Sequence, residues 1–463
     1  MPESATPPAI LEASPILTGP LRRTVLMLAL PVLGEQLFSY LVGLGDTFLS
    51  GRISAAATSA VGVAAYVNWL VELLFALVGM GATALVSRHW GSGERPAASR
   101  VAHCALAMAL VLGVTAVGAM YVVAPVFGAV LELSDEGRAL ALRYLRLTCV
   151  AHVLTSLTLT GASVLRGSGQ MRGPMIIQGL VTVLNVLLSA LLVYGPGPIP
   201  AFGFDGIAWG TILARLAGCV AMLWMLRSAT DLRVTLRAAA LKDRETMMRI
   251  LRIGGPGVID GVCLWSGHFA FLKIISSLNS GAVREAIFAA HVIGVQVEAL
   301  NYLPASAWGM AAATLIGQNL GAGQRERARA GGHEAVLQAC LLAALTSLVF
   351  YSGAELIFRW MHSNPLVGSV GVPAMRLLAL FEIPLSTAIV YIAAVRGSGH
   401  TIPPLIINLC GVFGIRLTLG YWLGVVCQYD LVGAWWAMGV DVTLRAIAIA
   451  IYFRLGRWDQ RPV

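Results

Sequence analysis

Apolar residues run through this chain in long blocks, with no two-residue alternation, and the blocks are separated by short Arg-rich or Gly-rich breaks. A bilayer core of roughly 30 Å needs about 20 apolar residues per helical span. Read that way, the blocks predict helices over 24–50, 56–87, 101–124, 140–165, 174–195 and 205–226, then over 254–278, 286–316, 334–357, 373–395, 403–426 and 431–453. The expected fold is an all-α integral membrane protein of twelve transmembrane helices. The expected organisation is a disordered cytoplasmic tail (1–23), a first six-helix lobe (24–226), a cytoplasmic amphipathic linker (227–250), a second lobe (251–455) and a second tail (456–463).

Composition agrees with that solvent. The 463 residues are 57% hydrophobic and 12% charged, which leaves no room for a large soluble domain. The 50 glycines suit close helix packing in lipid. The seven cysteines are scattered through apolar segments without metal-ligand spacing, so no structural metal is expected. A net charge of +9 raises the question of nucleic acid, but the basic residues sit in loops between spans and form no single patch, so none is expected. Arg22 and Arg23, then Arg88, Arg95 and Arg100, then Arg166 and Arg172 fall on alternate loops, as do Arg325, Arg327 and Arg329 and the basic C-terminal tail. The intervening loops are acidic (Glu132, Asp135, Glu136) or uncharged (194–204). Positive loops stay in the cytoplasm, which places both termini there and the protein in the cell inner membrane as a multi-pass protein. The first 20 residues carry Glu3, Glu12 and several prolines and lack the basic start of a signal peptide.

The halves repeat. At a constant offset of 230 residues Gly79, Met80, Ala82 and Leu85 match Gly309, Met310, Ala312 and Leu315. In the same register Gly91, Gly93 and Arg95 match Gly321, Gly323 and Arg325, and RGSG at 166–169 recurs at 396–399. Six helices separate the copies, so both insert in the same orientation as a parallel repeat. Two such bundles can open a shared cavity to either side of the membrane in turn, as transporters require. No GxxxxGK[ST] motif is present, so an ion gradient must supply the energy.

Pro31 followed fifteen residues on by Asp46 in GLGDTFLSGR, GMGATALVSRHWGSGE after the second helix, LRGSG before the fifth and GIAWGT in the sixth stand in a fixed order. In these the chain resembles the multidrug and toxic compound extrusion (MATE) family over nearly all of its length after residue 20. The resemblance implies a secondary antiporter that exports amphiphilic, often cationic organic compounds for H+ or Na+ by alternating access, functions as a monomer and needs no cofactor beyond the coupling ion. It also implies a bend at Pro31 and a cation site at Asp46, with Asn185, Ser189 and Thr211 as partners; the family's second acid is replaced here by Ser189.

Physical chemistry points to Asp46 independently. A carboxylate inside a transmembrane helix costs about 2.5–3.5 kcal/mol on insertion scales, so it normally faces a cavity and does work there. It can take up a proton, or hold Na+ with help from neutral oxygens such as Thr47. The alternative is an acid near the outer end of its span, close to water. Asn185 and Ser189 lie four residues apart on one helix face, where ordinary interhelical hydrogen bonding is the competing reading. In the second half Asp260, His268, Lys273, His291, Glu298, Glu382, Arg416, Asp441 and Arg445 lie in apolar segments and several must pair; Glu298 and Asp260 are the candidates for a second coupling acid there. Trp69, Trp265 and His268 are candidates for lining a substrate cavity, with Trp308, Trp435 and Trp436 as further aromatic residues. A flippase of lipid-linked sugars is the rival function; it would need a cationic cluster, for which Arg146, Arg215 and Arg416 are available. A membrane enzyme would need a catalytic arrangement, and none stands out on facing helices.

Overall fold

The computed structural model describes residues 15–130, 135–196, 200–229, 232, 234 and 238–460, apart from the side chains of 123–130, 238 and 239. Twelve spans follow in order: α1 Leu21–Gly51, α2 Ala55–Gly91, α3 Arg95–Val130, α4 in two segments, Asp135–Thr148 and Ala151–Gly167, α5 Arg172–Tyr194 and α6 Phe204–Ser228. Then come α7 Arg244–Ser276, α8 Gly281–Gly321, α9 Arg325–Met361, α10 Pro365–Gly397, α11 Ile402–Val426 and α12 Asp430–Leu455. The two segments of α4 meet at 55°. In α11 the winding loosens to π-type over Cys410–Arg416 and Trp422–Val426, a form that recurs at functional places in helices. Many large apolar side chains, among them Leu30, Phe48, Trp224, Leu345 and Leu455, stay exposed, as suits lipid-facing surface.

The repeat is visible in the helix ends. Gly91 and Gly321 close α2 and α8, Arg95 and Arg325 open α3 and α9, Gly167 and Gly397 close α4 and α10, and Arg172 and Ile402 open α5 and α11, each pair at the 230-residue offset. The RGSG turns explain why this register is kept. Gly169 and Gly399 sit at φ 88° and 90°, a left-handed conformation that favours glycine after a helix. Just before them, a Cβ on Gly167 would stand 3.1 Å from the Thr83 carbonyl oxygen, and one on Gly397 2.4 Å from Cα of Ala313, the residue that corresponds to Thr83. Only glycine lets these helix ends lie against α2 and α8 so closely.

Two compact units result. One contains Leu30–Gly255; the other joins the described residues up to Ala29 to those from Pro256 on. Both divisions fall inside a helix beside a proline, Pro31 or Pro256, where an interior hydrogen bond is missing. Neither division lies within the linker expected over 227–250. Of the tail expected over 1–23, residues 1–14 lie outside the described residues, while Pro15–Thr18 is a helical turn and α1 begins at Leu21. This segment is held: Arg327 of α9 donates to the Ile16 and Gly19 carbonyls, and Gln338 donates to that of Arg22 at 3.0 Å. The C-terminal tail is also held as far as it is described. Trp458 is buried and donates to the Phe453 carbonyl at 2.7 Å, and Asp459 pairs with Arg329 at 2.9 Å. In the linker, Leu232 and Val234 are buried and Ser99 of α3 donates to the Leu232 carbonyl at 2.7 Å; residues 230, 231, 233 and 235–237 lie outside the described set.

Candidate cation site

In the first unit α5 and α6 are in close contact because α6 presents glycine to its neighbour. A Cβ on Gly206 would come within 2.6 Å of the Leu192–Val193 backbone, and one on Gly210 within 2.5 Å of the Ser189 nitrogen. Small residues one turn apart bring backbones together in membranes, and here they bring Asn185 and Thr211 within reach of each other. Asn185 Nδ2 donates to Thr211 Oγ1 at 3.0 Å.

Asp46 of α1 faces this pair and is 8% exposed. Thr211 Oγ1 lies 3.4 Å from Asp46 Oδ2 but 3.0 Å from the carbonyl of Ile207, and its one proton can serve only one of them. The carboxyl is therefore loosely held. Its Oδ1 has no hydrogen-bond partner, and neither does Asn185 Oδ1. The structure thus brings Asp46, Asn185 and Thr211 together. Ser189 is fully buried one turn along α5 but turns towards the Ile207 carbonyl at 3.5 Å. Thr47 bonds the Gly43 carbonyl of its own helix at 2.8 Å. α1 runs through Pro31 as one helix.

One turn after Thr211, Arg215 supplies the positive charge that acts on Asp46. Its guanidinium donates to Thr155 Oγ1 at 2.6 Å and stands 4.0 Å from Glu72 Oε1. His152, 1% exposed, lies beside it with both ring nitrogens unpartnered. Glu72 and His152 did not enter the sequence argument, although an ionisable residue inside an apolar span is a signal in itself.

The second unit reproduces part of this frame and omits the rest. Pro31 and Glu35 correspond to Pro256 and Asp260, four residues apart in both cases. Glu35 accepts from Arg166 at 2.8 and 3.0 Å, and Asp260 accepts from Arg396, the matching arginine of the second RGSG. Asp260 also accepts from Asn408 at 3.0 Å; Arg445 donates to Asn408 at 3.1 Å and to both oxygens of Asp441 at 2.8 Å, and Arg416 donates to Asp441 at 2.9 Å. Asp260 is thus a fully bonded member of an ion-pair network. Fifteen residues after Pro256, where Asp46 follows Pro31, stands Phe271, buried against Gly420 and within the same apolar core as Ala434. The counterpart of the Asp46 site is filled with apolar side chains.

Glu298 of α8 is half-buried and lines a small cavity with Phe381, Leu385 and Trp435. Trp265, His268, His291 and Trp435 form a row with ring centroids 5.5–6.4 Å apart, and Trp435 Nε1 donates to His291 at 3.1 Å. Trp265 and His268 are half-buried, as is Trp69 in α2. Trp308 is buried and spent on a 2.9 Å bond to Gln338; Trp436 is exposed against Phe381.

A model of the MatE family matches residues 31–191 and 262–422, once in each half. A probable multidrug resistance protein NorM of Thermotoga maritima is 28% identical over 96% of this chain and 94% of its own. Multidrug resistance protein PmpM of Pseudomonas aeruginosa is 26% identical over 95% of this chain and 92% of its own. Among solved structures, a MOP superfamily transporter from Pyrococcus furiosus superposes with a TM-score of 0.86 at 20% identity, covering 98% of both chains. A MATE crystal structure in a bent conformation gives 0.87 at 20% identity, covering 97% of this chain and 98% of that one. At that identity the likeness is one of fold.

Proposed function

Because this chain belongs to the MatE family of multi-pass membrane transporters, we propose that it is an antiporter exporting amphiphilic, often cationic organic compounds in exchange for H+, with Asp46 carrying the proton. The observation that supports this most is the Asp46 carboxyl itself: buried between α1, α5 and α6, with one oxygen unpartnered and the other at the far end of a shared hydroxyl. A carboxylate so placed is expensive as an ion and cheap as an acid, so its protonation can select between two arrangements of the first unit. A cationic substrate and a proton would compete for the same negative charge, which is the minimum that exchange requires.

The neighbourhood supports H+ over Na+. A proton needs no further ligand, whereas sodium would want several neutral oxygens around the carboxylate, and those beside Asp46 are two, Thr211 Oγ1 and the unpartnered Asn185 Oδ1; Thr47 bonds along its own helix and Ser189 turns to Ile207. The names of the relatives, two of them multidrug resistance proteins, support the substrate class. The protein would work as a monomer in the cell inner membrane with both termini cytoplasmic. A lipid-linked sugar flippase fits less well: Arg215 is occupied by Thr155, and Arg416 and Arg445 by Asp441.

Efflux of a cationic dye from proteoliposomes tests the reading. An imposed proton gradient should drive it and an equal sodium gradient should not, and Asp46→Asn should reduce it to the protein-free leak while inserting normally. Retained proton-driven efflux in Asp46→Asn removes Asp46 from the mechanism.

A further inference from the structure

After α12 the chain forms a folded strap whose charges are not balanced. Gly456 leads out of the helix, and the strap turns back on the first turns of α9. Trp458 is buried with its ring stacked on Phe453 at a centroid distance of 4.6 Å, and Phe453 lies against Gly332, where a Cβ would stand 2.4 Å from its ring. Arg329 is wholly used in this joint: it donates to the carbonyls of Arg454 at 2.7 Å and Gly456 at 3.0 Å and pairs with Asp459 at 2.9 Å. Arg325, one turn before Arg329, also acts on Asp459. Arg325, Arg454 and Arg457 are exposed, and none of their side chains is hydrogen-bonded or ion-paired among the described residues. Over residues 325–329 and 454–460, five arginines stand against two acids. Asp459 is spent on Arg329, and Glu326 lies about 100° round α9 from Arg325.

We propose that Arg325, Arg454 and Arg457 form a binding site for the phosphate of an anionic phospholipid, built where the C-terminal strap meets α9. Like charges gathered without a counter-ion repel one another, and here the buried Trp458 and the Arg329 bonds hold the strap in place instead of letting the charges spread. A phosphate removes that repulsion, and its oxygens match the guanidinium fork. The source is lipid and not a dissolved anion, because an apolar stripe begins at the same spot. Ile447, Ile451 and Leu455 lie four residues apart on one face of α12, all exposed, Leu455 at 80%, and an acyl chain would lie along them. The α8–α9 turn is on the face expected to be cytoplasmic, where basic pockets between transmembrane helices take anionic headgroups. Such a lipid would tie the end of α12 to the start of α9 at the membrane surface. The site stands apart from Asp46 and asks nothing of the coupling ion.

The test is native mass spectrometry of the purified full-length protein, with phosphatidylglycerol and phosphatidylcholine of identical acyl chains as probes. The wild type should retain phosphatidylglycerol at concentrations where phosphatidylcholine is lost. An arginine beside an anionic lipid surface contributes about fivefold, so combining Arg325→Gln, Arg454→Gln and Arg457→Gln should cost that preference about 100-fold. Trp458→Ala keeps every arginine but frees the strap, and should weaken retention as well. Arg172→Gln with Arg227→Gln, which removes two exposed arginines of the first unit, should leave retention unchanged. Wild-type retention in the triple variant, or an equal loss in the first-unit variant, overturns the site in favour of diffuse attraction to basic loops. Indifference to Trp458→Ala overturns it too, since the strap would then build nothing. Displacement of phosphatidylglycerol by excess inorganic phosphate would mark a site for free phosphate and sink the lipid assignment.

Discussion

Gly210 controls how near the two halves of the Asp46 site can come. Its missing Cβ would stand 2.2 Å from Ser189 Oγ and 2.5 Å from the Ser189 backbone nitrogen, so one added methyl must push α5 from α6. Overpacking of this kind costs about 1–3 kcal/mol, and here it also lengthens the 3.0 Å bond between Asn185 and Thr211. Gly210→Ala should therefore lower the thermal unfolding midpoint in detergent and impair proton-driven efflux together. Gly43, also inside a span, has nothing within 4 Å of its Cβ position, and Gly43→Ala should be neutral or gain up to about 1 kcal/mol of helix propensity. Equal effects from the two substitutions would mean that contact at the α5–α6 seam is not what glycine serves. At this scale the sequence was informative about type and silent about contact. Asp46, Asn185 and Thr211 stand out as polar groups in apolar spans, but which way Ser189 turns depends on the Ile207 carbonyl of a neighbouring helix, which no one-dimensional pattern reveals.

Among the helices, the recurring device is a proline, an acid one turn later and the arginine of RGSG: Pro31, Glu35 and Arg166 in one unit, Pro256, Asp260 and Arg396 in the other. The RGSG register was plain in the sequence because identical residues recur 230 apart. The first helices obey a shorter spacing, since α8 has 41 residues where α2 has 37 and the turn before it is one residue longer, and their acids differ in kind, so the equivalence of Glu35 and Asp260 emerges only from the pairs they make. Asp260, the candidate coupling acid, is by that equivalence also a tie between α7 and α10. Removing one partner of a buried pair strands the other charge, at about 3–5 kcal/mol. Glu35→Gln and Asp260→Asn should each destabilise strongly, whereas Glu35→Gln combined with Arg166→Gln should recover part of the loss. The readout is the unfolding midpoint of single and double variants; a double variant as unstable as the sum of its singles would show the two groups to be independent.

For the molecule as a whole, twelve spans and a duplicated order were legible because lipid enforces them: every backbone polar group must be bonded within a helix, and each helix must be long enough to cross. The bend in α4 at Thr148–Ala151 and the π-type turns of α11 were not legible, for they depend on neighbours rather than on hydropathy. Charge adds the last constraint. Arginines cluster where α2 meets α3 and where α8 meets α9, while the α9–α10 connection, His362–Asn364, carries none. Basic loops resist translocation, so the α8–α9 turn is expected in the cytoplasm and the α9–α10 turn outside. With the seven native cysteines replaced by serine or alanine, Asn364→Cys should react with a membrane-impermeant maleimide in intact cells, and Gln324→Cys only once the membrane is opened. Because α9 joins the two positions, one of them must be shielded whatever the orientation; labelling of Gln324→Cys from outside would invert the whole topology, and with it the side from which a proton could reach Asp46.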